Sequence, residues 1–523
     1  MKNNIYYLSL FLLLLACEPK ESTSPVEAAF SLSPEVTIAD LKQGYADSSF
    51  SISEVTQFYL DRIQAIDQSG PKLNAVLTVN PDAMKIAEQL DLEMRNGQIR
   101  GPLHGIPILL KDNIDTRDKM PCTAGSVIMK ESYPDADSPL AAQLRIAGAI
   151  ILGKANLSEW ANFHSSYSSS GWSALGGQTK NPYDLSRNPC GSSAGSGAAV
   201  SANLCVIAIG TETNGSIVCP SNANGVVGIK PTVGLISRTG IIPISFTQDT
   251  GGPMARNMTD AVIALGTLTS EDENDSKTLN PDRVALKDYT PYLKKDGLKG
   301  KKIGFYKEAL KGHKILTSIM EQAIDDMEAQ GAEVVEIENL LPSEAEGDSY
   351  QVLLYEFKAG LNEYFENLGE DAPVKSLSEL VEKTLADSVE MKYFDHQILI
   401  DAEKKGGLDE DEYQTALTSM LKASREEGID KVMNELDLDA IIGPTGSPAW
   451  QTDELNGDNY SIYSSSPAAI AGYPSISVPM GNVDGMPVGI SFFGQAWTEA
   501  KLIEIAYAYE QSTQHRLTPE FKD

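Results

Sequence analysis

The stretch from Asn188 to Pro231, NPCGSSAGSGAAVSANLCVIAIGTETNGSIVCPSNANGVVGIKP, constrains this chain more than any other. It is dense in Gly, Ser and Ala. Two hydroxyl clusters, Ser192-Ser193-Ala194-Gly195-Ser196 and Asn214-Gly215-Ser216, flank an apolar segment. Small residues let backbone approach backbone or substrate closely, and glycine permits the left-handed turns that aim several amide N–H groups at one point. A site for a developing oxyanion is built this way.

Two rival readings of the stretch weaken on detail. A phosphate cradle requires a following G-K-[ST] and a basic surround, and this acidic chain offers neither. Gly191-Ser192-Ser193-Ala194-Gly195 matches the G-x-S-x-G nucleophile elbow of serine esterases, centred on Ser193. An elbow follows a buried strand, whereas Ser186-Arg187-Asn188-Pro189-Cys190 is polar and broken by proline.

Read together, GSSAGSGAAV and GTETNGSIVCPSNANGVVGIKPTVGLISRTG resemble the amidase signature family of serine hydrolases, and the peptide-amidase branch in particular. Upstream, Gly105-Ile106-Pro107-Ile108-Leu109-Leu110-Lys111-Asp112-Asn113-Ile114 is similar to the family's lysine strand. Downstream, Gln248-Asp249-Thr250-Gly251-Gly252-Pro253-Met254-Ala255-Arg256 is similar to its D-T-x-G-P-M-A-R block. The resemblance implies a single large α/β domain with a central mixed, twisted β-sheet covered by helices on both faces. It also implies Ser216 as nucleophile, Ser192 in a cis peptide as relay, and Lys111 as base, acting on the carboxamide C–N bond of small or peptide amides.

That chemistry needs a nucleophile, a proton acceptor and oxyanion donors. The amides of Thr213, Asn214, Gly215 and Ser216 are the candidate donors, with Ser193, Asp249 and Arg256 as supports. A free lysine, with a pKa near ~10.4, is charged at neutral pH and cannot act as a base. Lys111 follows the apolar Ile108-Leu109-Leu110, a setting that desolvates the amine and lowers its pKa. Asp112 follows directly, yet adjacent strand residues point to opposite faces, so it need not pair with Lys111. Asn214 stands where the family often has glycine, and Asn tolerates left-handed geometry, so the turn can survive. His104 and His164 are read as structural, and Trp160 and Trp172 as pocket or core.

Along the chain, Ser51-Ile52-Ser53-Glu54 fits a helix capping box, and a second helix is expected over 81–95. Strands over 106–110 and 149–152 alternate with helices over 139–147 and 156–163. Two more strands, 301–305 and 333–337, surround a helix over 314–330. Residues 343–437 are acidic and helical; in the resembling family this is a variable insert beside the substrate entrance. Strands resume at 439–442, 475–479 and 488–493, and a helix covers 499–511. The expected organisation is an N-terminal signal over 1–17, a flexible tether over 18–36, one catalytic domain over 37–512 with its signature core at 105–256, and a tail over 513–523.

Seventy-three acidic residues against 42 basic ones give a net charge of −31, which speaks against nucleic acid as a partner. Lys2 precedes an apolar run over 5–15 that is too short to span a bilayer and ends in Leu14-Leu15-Ala16-Cys17. The ending resembles a bacterial lipoprotein box, which implies export, lipidation at Cys17 and attachment to a membrane facing the periplasm or cell surface; a plain signal peptide is the alternative. Cys122, Cys190, Cys205 and Cys219 form no C-x-x-C pair, so no metal or cofactor is assigned. They are expected to be buried small hydrophobes, with a disulfide open to an exported protein. Two other functions compete: the glutamine-hydrolysing component of a tRNA-dependent amidotransferase, and a binding protein without catalysis.

Overall fold

The structure is a computed structural model that describes residues 32–338, 340–370 and 372–522. Eleven strands form one sheet: β1 (Val76–Val79), β2 (Pro107–Lys111), β3 (Ile150–Ala155), β4 (Ile207–Glu212), β5 (Val227–Lys230), β6 (Thr250–Ala255), β7 (Lys302–Tyr306), β8 (Glu333–Ile337), β9 (Ala440–Pro444), β10 (Ser475–Val483) and β11 (Met486–Phe493). Their spatial order is β1-β3-β2-β4-β6-β5-β10-β11-β9-β7-β8. Parallel pairs β3-β2-β4 lie near one edge and β9-β7-β8 at the other, with antiparallel pairs between. The sheet is therefore mixed, as expected.

Every residue of β2, β3 and β4 is buried, which is why these strands read as near-continuous apolar runs rather than alternating ones. Helices cover both faces and close one large apolar core across the sheet. The capping box at Ser51 forms, its hydroxyl accepting from Glu54 N while Glu54 reaches back to Ser51 N.

Residues 343–436 fold into successive helices beginning with the 25-residue Ser343–Asn367. The helix expected over 156–163 is instead a short irregular turn, Glu159–Asn162, with Trp160, Ala161 and Asn162 left-handed. Cys17 and the apolar segment before it lie outside the described residues, as does most of the expected tether. Where description begins, the chain is already docked: Val36 is buried and Glu35 pairs with Arg516 at 2.8 Å. Among the described residues no helix is long and apolar enough to cross a membrane.

Candidate active site

The parallel strands β2 and β4 end side by side and set the site. Lys111, the last residue of β2, is wholly buried, and its Nζ donates to Ser192 Oγ at 2.7 Å, Thr211 Oγ1 at 2.9 Å and Thr211 O at 3.3 Å. No carboxylate forms a salt bridge with it among the described residues. Burial pushes the Lys111 amine down to about 7, with the more distant Asp249 and Glu212 charges opposing the shift. Asp112 turns away, accepting from Thr123 N at 3.2 Å and from the Thr123 hydroxyl.

Ser192 follows a cis peptide bond from Gly191. The helix Ala194–Ser201 begins two residues later, against the backbone of the body: a Cβ on Gly195 would stand 2.3 Å from Ala75 O and 2.5 Å from Asn156 O. Such contact explains the run of small residues. Ser193 is fully buried, and its hydroxyl donates to Thr211 O at 3.0 Å and accepts from Thr211 N at 3.2 Å. With no strand leading into it, Ser193 braces the helix start against β4, and the G-x-S-x-G reading fails on geometry.

Ser216 lies on the turn between β4 and the helix Val218–Ala223, opening onto the cleft with Ser192. Three devices hold that turn. The Glu212 carboxylate accepts from Ile217 N at 2.7 Å and Val218 N at 3.0 Å, capping the helix start. Ser193 N donates to Ser216 O at 3.1 Å. Asp249 accepts from Thr213 Oγ1 at 2.6 Å while its other oxygen accepts from Ile244 N and Ser245 N, both at 2.8 Å.

The amides of Thr213, Asn214, Gly215 and Ser216 donate to no acceptor among the described residues, and all four residues line the cleft. Gly215 takes the left-handed conformation, φ +84°. This corrects the expectation for Asn214, which is not left-handed: its side chain instead accepts from Ser465 Oγ at 2.7 Å and donates to Ser466 Oγ at 3.2 Å. Among the described residues no hydrogen bond joins the Ser192 and Ser216 hydroxyls.

A disulfide joins Cys190 to Cys219, with Cα atoms 5.9 Å apart, so the expected set of four free cysteines is corrected to two, Cys122 and Cys205. The bond ties the chain just before Ser192 to the first turn of the helix just after Ser216. Both serine loops are thereby fastened at their outer ends.

Sequence reading missed Thr211, Glu212 and Asp458. Asp458 accepts from Ser170 N at 3.0 Å, Trp450 Nε1 at 3.1 Å and Asn188 Nδ2 at 3.3 Å, fixing the serine-rich strip against the entry to the relay loop. Arg256, expected to support the site wall, serves the far end of β4: it donates to Val200 O, Cys205 O and Val36 O. His104 is structural, receiving Arg100 N on Nδ1 with Nε2 beside Leu90 O. Trp160 and Trp172 are buried.

The cleft above the serines measures about 720 Å³, and Glu346, Tyr350, Leu353 and Ile398 of the helical region form part of its wall. Ser165, Ser166 and Ser168 line the cleft as well, and the segment before them is bonded to the helical region, Ile398 N donating to His164 O at 3.1 Å.

The family model for amidases matches residues 54–503. A probable amidase of Arabidopsis thaliana is 39% identical over 508 residues, covering 95% of this chain and 93% of that one. The X-ray structure of native peptide amidase from Stenotrophomonas maltophilia is similar at a TM-score of 0.89 with 47% identity, covering 94% of this chain and 99% of that chain. A glutamyl-tRNA(Gln) amidotransferase component of Thermoanaerobacter pseudethanolicus is 33% identical over 499 residues, covering 93% of this chain and 98% of that one. With its mixed sheet and its lysine and serine loops in place, the chain belongs to the amidase family, and it is a hydrolase acting on amide bonds.

Proposed function

We propose that this amidase hydrolyses C-terminal peptide amides and other small carboxamides, with Ser216 as nucleophile, Ser192 as relay and Lys111 as base. Neutral Lys111 takes the Ser192 proton as Ser192 takes that of Ser216, and Ser216 Oγ adds to the carbonyl carbon. The turn amides of residues 213–216 receive the oxyanion. On collapse the C–N bond breaks, the proton returns through Ser192 to the departing nitrogen, and ammonia leaves an acyl-Ser216 ester. Water, deprotonated along the same path, then releases the carboxylate.

The observation that carries this reading is the buried Lys111 amine, which forms no salt bridge among the described residues and stands 2.7 Å from Ser192 Oγ. The proton transfer between Ser192 and Ser216 is the step the proposal adds, since such contacts often tighten only with substrate bound. Similarity to the Stenotrophomonas peptide amidase across nearly the whole chain supports the peptide-amide substrate class. The Thermoanaerobacter relative supports glutamine hydrolysis as a second reading. The lipoprotein-type box ending at Cys17 supports export and lipid attachment outside the cytoplasm, where tRNA is absent.

A substrate panel of peptide amides, aryl and fatty amides, glutamine and esters tests the assignment, run with Ser216→Ala and Ser193→Ala. Peptide-amide turnover lost in Ser216→Ala and retained in Ser193→Ala is the expected result. Turnover surviving Ser216→Ala overturns the nucleophile, and a preference for glutamine overturns the substrate class.

A further inference from the structure

Behind the cleft wall lies a second group of chemistry-bearing side chains that the amidase mechanism does not use. Glu159, His164 and His396 place ligand-capable atoms within 4.8 Å of one another, and each is no more than 1% exposed. His164 Nδ1 and His396 Nδ1 stand 3.2 Å apart, close to the spacing of two nitrogens on one tetrahedral zinc with bonds near ~2.1 Å.

The proton positions follow from the neighbours. His396 Nε2 is 2.9 Å from Glu390 O, which only accepts, so Nε2 carries the proton and the Nδ1 lone pair points toward His164. A carbonyl that fixes the tautomer from behind is the usual support of a metal-binding imidazole.

The carboxylates are fixed in the same manner. Glu159 Oε2 accepts from Ala174 N at 2.5 Å, and Glu390 Oε1 accepts from Ser126 Oγ at 2.6 Å and Val127 N at 2.9 Å. Their other oxygens, Glu159 Oε1 and Glu390 Oε2, meet no donor among the described residues, nor does His164 Nε2 have a partner there. Buried polar atoms are nearly always satisfied, and no lysine or arginine forms a salt bridge with either carboxylate among the described residues. A hydrogen bond between the imidazoles leaves both orphaned oxygens unanswered, whereas a cation held by this group answers the Glu159 oxygen and the His396 lone pair together and neutralises charge beside Glu390. A proton shared between Glu159 and Glu390 is the competing arrangement, and it would bind no metal.

We propose that Glu159, His164 and His396 form a buried site for one divalent transition-metal cation of the zinc type, with the Glu390 carboxylate beside it. The mixed imidazole and carboxylate donors suit zinc rather than calcium or magnesium. The role is structural. Glu159 opens the left-handed turn whose Ala161 and Asn162 line the cleft, and His396 precedes the helix Gln397–Glu403, whose Ile398 lines it too. The cation joins two cleft walls whose histidines are 232 positions apart in sequence.

The test uses the full chain without a histidine tag, stripped by chelator, loaded with zinc or cobalt(II) and desalted before metal analysis. Wild type should retain one cation per chain, with a higher Tm when loaded and the visible absorption of four-coordinate cobalt. His396→Gln and Glu159→Gln, checked for folding by circular dichroism, should each retain at least about tenfold less. Wild type that retains no stoichiometric metal after loading refutes the site whatever the variants do. Full retention in either folded variant refutes it as well.

Discussion

Replacing Lys111 by methionine removes the one charge whose neutralisation the proposed mechanism needs, and it leaves a signature in stability as well as in turnover. The folded amine titrates at about 7, against about 10.4 in the unfolded chain. Between those values the unfolded chain binds a proton that the folded chain does not, so Lys111 makes the fold less stable at low pH than at high pH. The cost is fully present below about pH 7 and relieved as pH rises toward the unfolded value. At about 1.4 kcal/mol per pH unit, wild type should gain about 2 kcal/mol more than Lys111→Met does between pH 7 and pH 9. Denaturant unfolding of both proteins at the two pH values reads this directly, because every other titrating group is common to the pair. A gap that stays constant would mean that Lys111 keeps its proton in the fold, and the base assignment would go with it.

Two other perturbations follow from the site geometry. Thr211→Val keeps the shape of the side chain but removes the hydroxyl that holds Lys111 at 2.9 Å and receives Asn113 Nδ2 at 3.0 Å. It should lower kcat roughly tenfold with little change in KM, as steady-state kinetics on a peptide amide will show. Replacing Cys190 and Cys219 together by serine opens a loop spanning 29 positions. The loss should be about 3–4 kcal/mol by the loop-entropy relation, measured by denaturant unfolding, with activity falling because both serine loops lose an anchor.

The residues proposed to be catalytic stood out in the sequence because each sits in a contiguous motif whose neighbours explain it. Lys111 ends an apolar strand, and the small residues around Ser192 and Ser216 mark backbone packed on backbone. Thr211 and Glu212 were not legible: in sequence they are two polar residues closing an apolar run, and only the pairing of β2 with β4 brings Thr211 to the lysine. Strands β4, β5 and β6 carry glycines that lower strand propensity, and they owe their conformation to burial on both faces. The segment 156–163 has apolar residues at helical spacing, yet tertiary contacts override them: Glu159 reaches Ala174 N and the following residues turn left-handed. Four cysteines offer six possible single pairs, and no spacing rule selects Cys190 with Cys219. The histidine and glutamate group brings Glu159 and His164 to His396, which follows His164 by 232 positions, so no local motif announces it.

The central claim is that an uncharged Lys111, acting through Ser192, activates Ser216. The dependence of kcat/KM for a peptide amide on pH tests it most directly, since that ratio reports ionisations of the free enzyme. The account predicts a rate that rises tenfold per pH unit below a single ionisation at about 7 and levels above it. A rate independent of pH from about 5 to 9, across the range where a lysine so depressed must change its charge, would contradict it.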